Sequence, residues 1–244
     1  MAPADKAEGK RPDEFTLIEE VFAPLAADAP GAFALKDDAA LYRAGEGCET
    51  VLTVDAIVAG VHFLPDDPPE SVARKLLRVN LSDLAAKGAI PKGYLLVTAW
   101  TDETSLEWIR RFADALLEDQ RRYGLALWGG DTVRTTGPLT LSLTAIGEVR
   151  AGAMLPRGGA KEGDDVYVSG TLGDAALGLE VLRGKLTGLR PEDADYLIRR
   201  YREPDPRSAL GPRLCGVASA SLDVSDGLLA DLEHICDVSG RGAR

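Results

Sequence analysis

Apolar residues in the first half of the chain recur in three stretches with the spacing of an α-helix. In residues 15–25 they fall every three or four positions, which predicts an amphipathic helix. A longer stripe in residues 70–87 predicts a second helix with one face in the core. A capping box of Thr104 and Glu107 predicts the start of a third helix, which ends at Gly124.

Shorter runs of β-branched and apolar residues lie between these helices and predict strands. The runs are residues 50–54, which end at Asp55, residues 94–99, residues 125–128, which end at the Gly-Gly-Asp of 129–131, and residues 139–143. In the last run Leu alternates with Thr or Ser, so we expect that strand to bury one face only. Strands and helices therefore alternate up to about residue 150, which is typical of an α/β fold.

The pattern changes after residue 150, and we predict a second unit from residue 151 to 244. Its predicted elements are a strand at 166–169, a helix from about Asp174, one or two helices in 191–216, a short strand that ends at Asp223 and a helix from Ser225 to Ile235. Three glycines at positions 170, 173 and 178 either allow close packing or leave the N-terminus of the Asp174 helix open to an anion. A unit with few strands buries little surface, so we expect it to be incomplete or completed by another chain.

The chain is acidic and has the composition of a folded protein. Its 244 residues are 45% hydrophobic, which is enough for one large domain or two small ones. The 28 basic and 39 acidic residues give a formal net charge of −11, which argues against nucleic acid or an anionic membrane as the main partner. An anionic substrate is compatible with this charge, because bridging cations neutralise both sides.

The cysteines and the N-terminal residues indicate a cytoplasmic protein. Cys48, Cys215 and Cys236 are odd in number and widely spaced, which predicts free thiols rather than disulfides or a zinc site. Residues 1–14 carry charge without an apolar core, so we expect a disordered tail and no signal peptide. No apolar run reaches the length that crosses a membrane.

Six aspartates stand where an apolar run gives way to a turn or a helix: Asp38, Asp55, Asp83, Asp131, Asp223 and Asp226. Singly, such residues are ordinary in turns. Together they suggest carboxylates for Mg²⁺, which prefers oxygen ligands and often accompanies phosphate groups. The sequence lacks a Walker A loop, a GxGxxG after a strand, and the HRD and DFG motifs of protein kinases. The kind of phosphate site that remains is one in which bound metal ions hold the phosphate groups.

The segments around these aspartates form an ordered series of motifs. They read DDAA (37–40), TVDAIVAGVHF (53–63), NLSDLAAKGAIP (80–91), GGDT (129–132), LPRGGAKEGDDVYVSGTLGDAALGL (155–179) and DVSDGLLADL (223–232). In this order they resemble the thiamine-monophosphate kinases, within the PurM-like group of ATP-dependent enzymes. The resemblance extends from about Phe15 to Ala243.

The resemblance implies transfer of the γ-phosphoryl group of ATP to thiamine monophosphate, which gives thiamine diphosphate and ADP. It also implies two α/β domains. Residues 15–150 would form an ATP- and Mg²⁺-binding domain whose mixed sheet builds a β-barrel across a homodimer, and residues 151–244 a second, incomplete domain.

The resemblance further implies roles for individual residues. The six aspartates match the Mg²⁺ ligands of the family, and Thr53 and Val54 would lie near the metal through side-chain or backbone oxygen. Gly130, Arg157 and Ser225 match contacts to ATP, and His62 matches a contact to the substrate. We assign no general base, because the attacking phosphate oxygen is already ionised at neutral pH.

Some positions depart from the usual pattern of the family. Lys36, Val54 and Lys87 stand where Gly, Thr or Ser, and Met are common, and family members continue past the Gly-Ala of 242–243 with residues that enclose the thiamine rings. Three alternatives stay open. One is another PurM-like enzyme, such as aminoimidazole ribonucleotide synthetase, selenophosphate synthetase or a hydrogenase-maturation protein. The second is a non-catalytic Mg-ATP-binding or dimerisation module. The third is a purely structural acidic domain, which would show no Mg²⁺-dependent binding of ATP.

Overall fold

The computed structural model describes residues 12–244, and its first helical segment confirms the predicted amphipathic helix. Helix α1 (Glu14–Leu17) continues as a π-helical turn (Ile18–Phe22) and a 3₁₀ turn (Ala23–Ala26). The side chain of Asp13 accepts the N–H of Thr16 and caps α1. Helical structure thus begins at the end of the predicted 1–14 tail, of which residues 1–11 lie outside the described residues.

Four strands form one mixed sheet in the order β1-β4-β2-β3. They are β1 (Cys48–Val58), β2 (Ile90–Trp100), β3 (Ala126–Arg134) and β4 (Thr140–Arg150). Strand β4 runs antiparallel to both β1 and β2, whereas β2 and β3 are parallel. The four predicted strands of this half are therefore confirmed, and each is longer than its apolar run.

Two aspartates that we expected at strand ends lie inside strands instead. Asp55 is paired with Leu143 of β4, and β1 continues to Val58. Asp131 is paired with Val97 of β2, and β3 continues to Arg134. The predicted ends were wrong because a strand ladder needs only backbone N–H and C=O groups, so a polar side chain does not stop it.

Helices α2 (Pro69–Ala86) and α3 (Leu106–Tyr123) pack on one face of the sheet, which we call the helix face. Their apolar stripes are buried, and Trp100 of β2 makes edge-on ring contacts with Trp108 and Phe112 of α3. Both helices confirm the predictions. The cap of α3 is Ser105, whose side chain accepts the N–H of Trp108, and not the predicted Thr104.

The opposite face of the sheet, which we call the open face, carries exposed apolar side chains. Its large exposed members are Leu52 and Val54 of β1, Leu95 and Val97 of β2, and Val133 of β3. An apolar face of this width is typical of a surface that another element or chain covers.

Residues 151–244 form helices without a sheet. The helices are α4 (Asp174–Leu182), α5 (Pro191–Arg202), α6 (Gly211–Leu214) and α7 (Leu228–Ser239). This stretch, all of which the structure describes, contains no strand, so the strands predicted at 166–169 and before Asp223 were wrong. Both segments lack a neighbouring strand to complete a ladder, and Val166 and Tyr167 are exposed.

Ion pairs connect this helical part to α2 and the segment before it. Arg74 of α2 bonds to Glu203 at 2.9 Å, and Arg202 bonds to the buried Asp67 at 2.7 Å. Few residues after 151 are buried, among them Leu155 and Asp231. None of the described helices has the length and apolarity that a membrane crossing requires.

Candidate active site

Strand β1, helix α2 and the segment before α7 bring together three of the six aspartates, which we call the acidic cluster: Asp55, Asp83 and Asp223. Thr53 stands two residues before Asp55 on the helix face, and its hydroxyl donates to Asp83 Oδ2 at 2.5 Å. Asp83 lies in the last turn of α2, at the border between core and solvent, as the helical pattern predicts.

The carboxylates of the acidic cluster repel one another. Burial, and then the charge of Asp83, raises the pKa of Asp55, and His62 opposes this shift. Burial, again followed by Asp83, raises the pKa of Asp223 to about 6. These directions indicate negative charges that lack enough counter-charge, which is the electrostatic environment that a divalent cation relieves.

Two cationic side chains border the acidic cluster. Lys87 Nζ donates to the backbone oxygen of Ser221 at 2.8 Å, two residues before Asp223. Burial lowers the pKa of the Lys87 ammonium, as does the nearby Arg157, while Asp223 and Asp83 act in the other direction. Arg157 therefore lies close to the cluster, on an exposed loop where its guanidinium is accessible to an anion.

His62 lies in the turn that follows β1, within electrostatic reach of Asp55. Its Nδ1 accepts the backbone N–H of Val58 at 3.1 Å, so the neutral ring carries its proton on Nε2. The ring is exposed, which leaves Nε2 accessible to a ligand. The ammonium of Lys75 donates to the His62 carbonyl oxygen at 3.1 Å and lies over the ring of Tyr201.

The segment after Asp223 carries two more predicted site residues, Ser225 and Asp226, both exposed. Their backbone N–H groups and that of Gly227 all point to Oδ2 of Asp231, at 2.9, 3.1 and 3.1 Å. Helix α7 begins at Leu228, three residues later than predicted, because these three residues form this turn instead of helix. Sequence reasoning missed Asp231; its place in the first helical turn after a glycine was the available signal.

The remaining predicted residues lie at a second place, a cavity of about 640 Å³ beside the edge strand β3. Its lining includes Asp38, Tyr42, Trp128, Gly130 and Asp131. A Cβ at Gly130 would lie 1.8 Å from the Leu96 carbonyl oxygen, so only glycine fits there. We call Asp38 and Asp131 the cavity pair.

The buried carboxylate of Glu148 holds the loop that carries Asp38. It accepts the hydroxyl of Tyr42 and, at 3.0 Å, the N–H of Gly45, and Lys92 lies 3.5 Å away. Tyr42 in turn packs edge-on against Trp128, with ring centroids 5.2 Å apart. Glu148 is a second carboxylate that the sequence patterns did not single out, because its partners are about 100 residues away.

Asp55 of the acidic cluster and Asp131 of the cavity pair point to opposite faces of the sheet. Asp55 shares the helix face with its neighbour Leu143, whereas Asp131 shares the open face with its neighbour Val97. The side chain of Val54 also points to the open face, away from that of Asp55. Within residues 12–244 no three His, Cys, Asp or Glu side chains lie close enough together to hold one metal ion.

Comparison with known proteins gives consistent matches over most of the chain. Residues 36–149 match the family model "AIR synthase related protein, N-terminal domain". The thiamine-monophosphate kinase of Caulobacter vibrioides is 46% identical over 94% of this chain and 64% of its own length. That of Escherichia coli K12 is 42% identical over 95% of this chain and 70% of its own length. The chain thus spans about two thirds of the length of the curated relatives that it matches.

Solved structures agree with these matches. The thiamine-monophosphate kinase of Stenotrophomonas maltophilia K279a superposes with a TM-score of 0.77 at 44% identity, over 84% of this chain and 66% of that one. A structure described as AaThiL complexed with AMPPCP and TMP superposes with a TM-score of 0.75 at 31% identity, over 93% of this chain and 67% of that one.

Proposed function

The chain belongs to the thiamine-monophosphate kinase family, and from this premise we propose that it transfers the γ-phosphoryl group of ATP to the phosphate of thiamine monophosphate. The observation that carries the proposal is the acidic cluster, whose coupled carboxylates are bordered by Lys87 and Arg157. Carboxylates that repel one another bind divalent cations, and the neighbouring cationic side chains bind phosphate oxygens. Together they suit a polyphosphate that divalent cations bridge to the carboxylates. The relative solved with AMPPCP and TMP supports both substrates.

Mg²⁺ is the cofactor that this donor set fits. Asp55, Asp83 and Asp223 offer hard carboxylate oxygens, and burial, followed by the charge of Asp83, raises the pKa of Asp223. Because no three such side chains in residues 12–244 lie close enough to hold one ion, we propose several Mg²⁺ ions, each held by one or two of these carboxylates with water or phosphate oxygens. Thr53 and the backbone of Val54 would lie beside them, and Asp226 and the cavity pair are proposed as further ligands. Bound Mg²⁺ would supply charge neutralisation between donor and acceptor phosphates.

The side chains of this chain would orient the γ-phosphate of ATP and the acceptor phosphate in line for transfer. Arg157 would bind an ATP phosphate through its forked guanidinium, and the hydroxyl of Ser225 and the backbone at Gly130 would add contacts to the nucleotide. His62 Nε2 would donate to the acceptor substrate. The attacking phosphate oxygen is already ionised at neutral pH, so positioning and neutralisation suffice without a general base.

We further propose that the chain works as a homodimer, with residues 15–150 forming the dimerisation domain and residues 151–244 a second domain. The apolar open face supports this, because two open faces packed together would bury Leu52, Val54, Leu95 and Val97 in a shared barrel.

The test is detection of thiamine diphosphate by chromatography after incubation of the chain with Mg²⁺, ATP and thiamine monophosphate. We expect product that depends on all three, and none when EDTA replaces Mg²⁺. Parallel calorimetric titration with a non-hydrolysable ATP analogue separates binding from turnover. Nucleotide binding without product would instead favour the non-catalytic Mg-ATP-binding module, and neither binding nor product would overturn the proposal.

A further inference from the structure

Asp231 is a buried acid whose partners define its environment. Its side chain lies in the first turn of α7, and the residue is only 5% exposed. One oxygen, Oδ2, accepts three consecutive backbone N–H groups, those of Ser225, Asp226 and Gly227. Three charge-assisted hydrogen bonds compensate a buried carboxylate for the water that it loses.

This arrangement exceeds what an ordinary helix cap requires. In a capping box, an acid in the first turn reaches back to the N–H of the single residue before the helix. Here that residue is Gly227, but Asp231 also binds the N–H groups of Ser225 and Asp226, which lie outside the helix. The carboxylate therefore fixes the path of the loop as well as the end of the helix.

Consecutive N–H groups that converge on one point form a nest, a common anion site in proteins. The carboxylate of Asp231 fills this nest, so these three N–H groups are not available to a phosphate. Contacts from the loop to a nucleotide or metal must then come from the outward groups of the loop, the Ser225 hydroxyl and the Asp226 carboxylate, both of which are exposed.

We propose that Asp231 is a positioning residue that fills the nest of residues 225–227 and thereby orients Ser225 and Asp226 toward the substrate phosphates. The part of this inference that concerns phosphates rests on the proposed function. The part that concerns the loop rests only on the hydrogen bonds. Asp231 touches neither substrate nor metal in this scheme and acts through its two neighbours.

The experiment compares Asp231→Asn with wild-type protein and with Asp237→Asn. Asp237 is an exposed acid on the same helix, so its variant makes the same change of charge without touching the loop. Two readouts are taken: hydrogen exchange of the individual backbone amides by NMR, and the KM for ATP with kcat. Asp231→Glu is a third variant that keeps the charge on a longer side chain.

For Asp231→Asn we expect the amides of residues 225–227 to exchange at least about tenfold faster, because a neutral acceptor weakens three charge-assisted bonds. Amides in the middle of α7 should keep their protection. The KM for ATP should rise about tenfold with a smaller change in kcat, since the lost interaction orients the bound nucleotide. Asp237→Asn should match the wild type in both readouts. Asp231→Glu should have a KM for ATP between that of the wild type and that of Asp231→Asn.

The outcomes separate the two proposals. If the wild type makes product but Asp231→Asn leaves both the loop amides and the KM unchanged, the role of Asp231 is overturned and the proposed function stands. Loss of protection along the whole of α7 with an unchanged KM would show a structural cap and also overturn it. If the wild type makes no product, the proposed function fails, while the exchange data still decide whether Asp231 holds the loop.

Discussion

The acidic cluster and the cavity pair contain the same side chain in two different environments. In the acidic cluster, Asp83 is coupled to Asp55 and to Asp223, and the group is partly buried against α2. In the cavity pair, Asp38 and Asp131 are exposed at the lining of a cavity beside the edge strand β3. The first group is assembled where β1, α2 and the segment before α7 meet, and the second where β3 meets the loop that Glu148 holds.

The two environments differ in how strongly their carboxylates repel one another. Carboxylates that are buried together repel one another, and a bound cation relieves this repulsion. In the cavity pair, Asp38 lies on an exposed loop and depends on the anchor of that loop for its position, whereas Asp131 is held by the pairing of β3 with β2. Changes in the acidic cluster should therefore affect both activity and pH dependence, whereas changes around the cavity pair should act through position.

The largest expected effect is the loss of turnover in Asp223→Asn and in Asp131→Asn. Each change removes a charged ligand of the proposed metal site, and we expect turnover to fall about 1,000-fold or more. The rate of thiamine diphosphate formation measures turnover, and circular dichroism checks that the fold is retained. Asp237→Asn is the matched control. Near-normal turnover in both site variants would refute the metal assignment.

A mixing experiment asks whether the acidic cluster and the cavity pair serve one site across two copies. Asp131→Asn and Asp223→Asn are unfolded together and refolded as mixed dimers. If each site takes Asp223 from one copy and Asp131 from the other, half of the dimers have one intact site, and about a quarter of the wild-type activity returns. Activity that stays at the level of the separate variants would show that both residues act within one copy.

The pH dependence of metal-free stability tests the burial of carboxylates in the acidic cluster. The pKa of Asp223 is about 6 in the folded chain against an ordinary value of 3.8, so between these values the folded state binds a proton that the unfolded state releases. Stability from this residue is complete below about pH 4 and is lost as the pH rises through 6, by at most about 3 kcal/mol.

Urea unfolding in EDTA at pH 4, 5, 6 and 7 measures this effect. Asp223→Asn cannot titrate, so the difference in the free energy of unfolding between wild type and variant should change sharply across this range. Parallel profiles for the wild type and Asp223→Asn would disprove the raised pKa.

The smallest effect is expected for Glu148→Gln, which weakens the anchor of the Asp38 loop. The glutamine oxygen still accepts from Tyr42 and Gly45, but without charge, so the free energy of unfolding should fall by about 1 kcal/mol. Combination with Asp223→Asn should be additive, because the two residues share no partner. A clear departure from additivity would show that the acidic cluster and the Asp38 loop are coupled.

The secondary structure of the first 150 residues could be predicted well from the sequence. The apolar stripe of α2 and the position of Asp83 at its border follow from the spacing of apolar residues, which matches the period of an α-helix. The strands were found but ended too early, at Asp55 and at Gly129–Asp131, because apolar content marks burial and not the length of a ladder. The two strands predicted after residue 150 failed because a strand requires a partner that the local pattern does not specify.

The sequence by itself determined which residues are candidates for the site: six aspartates, Arg157 and His62, in ordered motifs that the local pattern makes visible. Tertiary structure alone decided how they are grouped. The face on which Asp55 or Asp131 lies depends on the register with β4 and β2, and register depends on contacts between residues far apart in the chain. Glu148 belongs to the same class, because its partners Tyr42 and Gly45 are about 100 residues away in the chain. Asp231 is intermediate: its position after a glycine is a local signal, but only the folded loop brings three N–H groups to one of its oxygens.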